Sequence, residues 1–170
     1  MNRPVPIVLT SILLTALLQA APVAAKKPQS TPEERAKAVQ LTRELERDPM
    51  VQDGPEKRSW LVEFFTKAPD ISITMCNLFG PMPGEDHPFF PQVLTQSLFS
   101  MGTFIIEHPD KAKDEVAVQT AGMEGALKVY EIHVKAQPEG RLPFLDDLLE
   151  KRDAGTLADS MKEAVPKACK

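Results

Sequence analysis

The chain has 170 residues, 42% of them hydrophobic, with 20 Lys and Arg against 24 Asp and Glu and a formal net charge of −4. That length fits one domain. The acidic balance argues against nucleic acid or an anionic membrane as partner, because both select basic faces.

Residues 1–25 read as a secretory leader. Arg3 supplies the positive start, an apolar stretch runs from Ile7 to Leu18, and a small-residue run ends at Val23-Ala24-Ala25. Cleavage after Ala25 places Ala25 and Val23 at the two subsites that require small side chains. The apolar stretch covers about 12 residues, too few for a bilayer that needs roughly 20. No cysteine precedes Cys76, so the acylated cysteine of a bacterial lipoprotein is also missing. The expected product is an exported bacterial protein, periplasmic or secreted, with no membrane span. Its residues 26–170 keep 19 basic and 24 acidic side chains, a net charge of −5.

Residues 26–30 form a short polar linker. Thr31-Pro32-Glu33-Glu34 then predicts a helix start, with Thr31 as cap, Pro32 in the first turn and Glu34 reaching back in a capping box. Ala38, Leu41 and Leu45 continue it at helical spacing until Asp48-Pro49. A second helix restarts at Asp53-Gly54-Pro55-Glu56, shows Trp60, Leu61, Phe64 and Phe65 as its apolar face, and closes at Pro69.

Between Ile71 and Ile106, Glu85 and Asp86 are the only formal charges, and a stretch that excludes charge is one that becomes buried. Ile71, Ile73 and Met75 alternate as in a strand, while Ile71, Met75 and Leu78 also fit a helix capped by Asp70. With no second strand to pair it, the helix is the expected form over 71–79. Residues 80–91 form a proline-rich loop. Residues 92–106 predict a central helix, with Leu94, Leu98, Met101 and Ile105 in its seam and further apolar residues on other faces.

The longest helix is expected over 111–136. Val116, Thr120, Met123, Leu127, Tyr130 and Val134 follow spacings of 4, 3, 4, 3 and 4. Gly122 and Gly125 lie beside that seam. Interior glycine costs about 1 kcal/mol against alanine, which close approach of another helix would offset. A fifth helix over 143–154 stops at Gly155, and Thr156 to Asp159 predicts a capping-box start for the last. The expected fold is all-α: one domain of five to six helices, as a bundle or stacked hairpins. Cys76 and Cys169 are the only two cysteines, and an even count in an exported chain predicts a disulfide.

Ala126, Tyr130 and Pro138 stand at offsets of 0, 4 and 12 and resemble the second helix of a tetratricopeptide repeat. His133 stands where that pattern has a small residue, and the preceding helix lacks its tryptophan, leucine and glycine. No second copy follows at a period of about 34 residues, so the resemblance covers about 13 residues and assigns no family. It implies packed helical hairpins and protein binding.

The loop 80–91 concentrates the candidate binding residues. Four prolines stiffen it, Glu85, Asp86 and His87 sit side by side in the middle, and Phe89 and Phe90 follow. A stiff loop loses little entropy on binding. It reads as a recognition loop for a protein or peptide partner, or as half of a metal site using His87 and a carboxylate. The competing structural reading makes Phe89 and Phe90 plugs of the core. No second histidine stands at ligand spacing, so no metal and no cofactor is assigned. Glu107-His108 and Glu131-Ile132-His133 are further acid-histidine pairs, read as helix-end or surface groups.

No GxSxG turn, HExxH helix, phosphate-binding glycine loop or dinucleotide fingerprint occurs, which leans the reading away from an enzyme. Three functions stay open. A protein- or peptide-binding envelope module requires Phe89 or Phe90 to be exposed. A carrier of an apolar small molecule requires a cavity lined by Met75, Met82, Met101 and Met123. A small enzyme requires His87 to meet a carboxylate or hydroxyl inside a cleft.

Overall fold

The computed structural model describes residues 30–81, 83–84 and 86–169. The expected leader, and Met82 and Glu85 of the proline-rich loop, lie outside the described residues. Six α-helices follow in order: α1 (Pro32–Arg47), α2 (Gly54–Lys67), α3 (Phe90–Glu107), α4 (Glu115–Ala136), α5 (Pro143–Asp153) and α6 (Leu157–Ala168). Single 3-10 turns at Pro109–Lys111 and Pro138–Gly140 flank α4. The described residues contain no strand, and none of their helices is long and apolar enough to cross a membrane.

Local chemistry starts α1 as expected. The Glu34 amide donates to Thr31 Oγ1 at 3.1 Å, and the Thr31 amide donates to Glu34 Oε2 at 2.8 Å. At α6 the expected box does not form. Thr156 donates its hydroxyl to the Lys151 carbonyl, and Asp159 pairs with Lys162 instead. The long helix begins four residues later than expected, at Glu115, because Asp114 caps it by accepting from the Ala117 amide.

Helices α3 and α4 pack along the middle of the molecule. The glycine seam explains how closely: a Cβ at Gly122 would meet Met101 and Ser97, and one at Gly125 would overlap the Ser100 side chain. Two hydrophobic clusters lie along this pair. One joins Phe79, Phe89, Phe90 and Val93 to α4, α5 and α6; the other joins Phe99, Met101 and Ile105 to α1 and α2. Ala126 and Tyr130, which carry the repeat-like resemblance, are fully buried in the first cluster.

Residues 71–79 correct an expectation. They form neither helix nor strand but an irregular run that buries Ile71, Cys76, Leu78 and Phe79. The intended helix cap is spent elsewhere: the Asp70 carboxylate accepts from the Ser30 amide and hydroxyl and from the Arg35 guanidinium, tying α1 to this segment. In place of a partner strand, Gln119 of α4 donates to the Thr74 carbonyl at 2.7 Å. Cys76 within this run stands at disulfide distance from Cys169 at the end of α6, with 4.8 Å between Cα atoms.

Candidate functional site

The proline-rich loop delivers its aromatic residues inward. Phe89 is 1% exposed and Phe90 is 4% exposed. Phe89 stacks on His133 with ring centroids 4.8 Å apart and planes 4° from parallel, and it tilts against Tyr130. Phe90 meets Phe79 edge to face. The backbone of Gly140 closes over this corner, where a Cβ would overlap the Phe89 ring. The expectation of an exposed aromatic docking loop is therefore corrected. A pair of Phe rings gains more from the interior than a stiff loop gains from displaying them.

His87 is half-buried and bonded to backbone on both sides. Its Nδ1 accepts from the Phe90 amide at 3.1 Å, and its Nε2 lies 3.1 Å from the Gly140 carbonyl, which can only accept. Those two partners select the neutral imidazole with its proton on Nε2. His87 thereby serves α3 as a cap, since Phe89 at the cap position makes no side-chain bond of its own. Asp86 is exposed. Among the described residues no carboxylate or hydroxyl meets His87, so the geometry expected for an enzyme or a half metal site is not assembled there.

The other histidines separate. His133 is buried, with Nε2 2.9 Å from Gln92 Oε1 and Nδ1 without a partner among the described residues. Burial, and then the charge of Arg58, hold its pKa below the ordinary histidine value. His108 is exposed and leans on Phe104, with ring centroids 4.7 Å apart. The described methionines of the expected lining do not converge on a cavity either. Met101 and Met123 are each packed to 1% exposure, and Met75 is 48% exposed.

An open cleft of about 620 Å³ lies elsewhere, between α3, α4 and α6. Phe104, Val116, Ala117 and Ala121 give it an apolar floor, and Lys111, Lys128, Lys162, Glu107, Asp114 and Glu124 stand around it. No methionine lines it. No protein-family model, curated protein or solved structure matches the chain.

Beneath the cleft sits the charge cluster that sequence reasoning missed. Glu46 of α1 is 5% exposed. Its carboxylate accepts from Arg43 at 3.0 and 3.1 Å, from Lys128 at 2.9 Å and from Ser100 at 2.9 Å. Arg43 continues to Glu107 on the cleft wall at 2.8 Å. Burial by itself would raise the Glu46 pKa, but the bonds and charge from Lys128, Ser100 and Arg43 hold it below the ordinary carboxyl value. The carboxylate is fully satisfied, so it fixes Arg43 and Lys128 in place and leaves no unpaired charge for chemistry. One signal was present in the sequence: Glu46 follows Ala38 and Thr42 at spacings of four on the buried face of α1.

The Cys76, Glu115 and Cys169 donor atoms lie within 4.8 Å of one another. The two sulfurs stand at bonding distance from each other, which occupies both as metal ligands.

Proposed function

We propose that this chain is an exported binding module and that its seat is the cleft between α3, α4 and α6, not the proline-rich loop. The leader-like residues 1–25 and the paired cysteines support export. The observation that carries the binding reading is a cleft of about 620 Å³ with an apolar floor and charges of both signs around it. That volume falls in the range of ligand sites, roughly 300–1,000 Å³. The fitting partner is a peptide segment with an apolar side chain for the floor and both charges beside it. Arg43 and Lys128, held by Glu46, would meet it without rearrangement.

A photo-crosslinking side chain placed at Ala121 tests this in the intact cell envelope. The reading predicts a discrete adduct from position 121 that disappears when Ala117→Trp fills the floor, and none from Ser59 on the outer face of α2. Equal adducts from both positions, or adducts that survive Ala117→Trp, would refute it.

A further inference from the structure

We infer that the corner joining the proline-rich loop to α3 is a proton-operated latch: a second proton on His87 breaks its bond to the Phe90 amide and lets Phe89 leave the space between the two histidines. Two hydrogen bonds carry this. His87 Nδ1 accepts the amide of the first residue of α3, a role that only an unprotonated nitrogen can fill. Its Nε2–H is already committed to the Gly140 carbonyl. A proton reaching Nδ1 from solvent therefore sets N–H against N–H and places a cation at the positive end of the helix dipole.

Phe89 is the moving part. Its ring centroid lies 4.8 Å from that of His87, in a T-shaped arrangement, and 4.8 Å from that of His133, on which it stacks. The His133 side works in the same direction. In the closed corner its Nδ1 has no acceptor among the described residues, and Arg58 from α2 opposes a second charge. Once Phe89 withdraws, water reaches that ring and it too takes a proton, which holds the corner open.

Among the described residues, the charged groups around the corner do not cancel the effect. The first turn of α3 has no acidic residue to receive an imidazolium. Glu139 and Arg141 flank Gly140 in sequence, and Arg141 is paired with Asp146. On α4, Glu131 is bonded to Lys135 and Arg152. Asp86 on the loop is exposed.

The test is amide hydrogen exchange on the full chain at pH 7.5 and pH 5.5, expressed as protection factors so that intrinsic exchange chemistry is removed. Protection of the Phe90, Gln92 and Val93 amides is expected to fall about tenfold, ~1.4 kcal/mol, beyond the global loss read from α4 around Leu127. His87→Asn should abolish that local excess, because its side-chain oxygen can accept from the Phe90 amide and takes no proton in this range. No fall, an equal fall in α4, or an undiminished excess in His87→Asn would overturn the proposal. Should that variant fail to fold, imidazole nitrogen shifts of the unaltered chain decide. His87 must carry its proton on Nε2 at pH 7.5 and gain the second at the midpoint of the exchange change. The other tautomer, or a separate midpoint, overturns it.

Discussion

The proline-rich corner and the α3–α4–α6 cleft invert what their compositions suggest. The corner carries stiff backbone and two phenylalanines, yet it is closed, with every ring packed on another. The cleft carries alanines, lysines and glutamates that resemble ordinary solvated helix faces, yet it forms a concave surface. Aromatic side chains mark where burial energy is largest, and they mark a binding surface only when the fold leaves them outside. Concavity arises where helices diverge, and small side chains such as Ala117 and Ala121 leave room for it.

That contrast breaks first at the corner. Phe89→Ala empties a fully buried ring site and should cost about 4 kcal/mol of unfolding free energy, measured by urea denaturation. A loss under about 1 kcal/mol would mean the ring is not core. Cys169→Ser opens the 93-residue separation spanned by the two cysteines, and should cost about 3–4 kcal/mol. Intact mass without reductant should first show the unaltered chain two hydrogens lighter than after reduction. Beneath the cleft, Glu46→Ala leaves Ser100 and two cations without their common acceptor. Arg43 and Lys128 can turn to water, so the expected loss is about 2 kcal/mol, below that of a fully buried pair.

Acid gives a smaller effect with a defined sign. The His133 pKa is depressed in the folded state by burial and by Arg58, so the unfolded chain takes that proton first as pH falls below about 6.5. The thermal midpoint should drop between pH 7.5 and 5.5, and His133→Gln should flatten that slope. Glu46, with a pKa below the ordinary carboxyl value, titrates under this window. Smallest of all, Ala117→Trp at the half-buried cleft floor should change stability by about 0.5 kcal/mol or less.

Features set by neighbours in sequence were the more legible ones, although the box expected at Thr156 does not form. The Thr31–Glu34 box, the Met123–Leu127–Tyr130 seam and the glycine approach at Gly122 and Gly125 each follow from spacing within one helix. Segment 71–79 misled because its deciding partner is distant: Asp70 is claimed by Ser30 and Arg35, 40 and 35 positions away. The cleft was invisible for a similar reason. Its lining comes from Phe104, Ala121 and Ala158, and nothing local in three separate helices reports that they meet around a cleft. Glu46 was readable in part, as a charge in a core register, but its partners Ser100 and Lys128 were not.

Hydroxyl-radical footprinting at pH 7.5 tests the account most directly, because one experiment reads the corner and the cleft together. With rates normalised to the unfolded chain, Phe104 should be modified readily while Phe89 and Phe90 stay protected. Modification of Phe89 and Phe90 as fast as Phe104 would contradict the closed corner and return the loop to the surface.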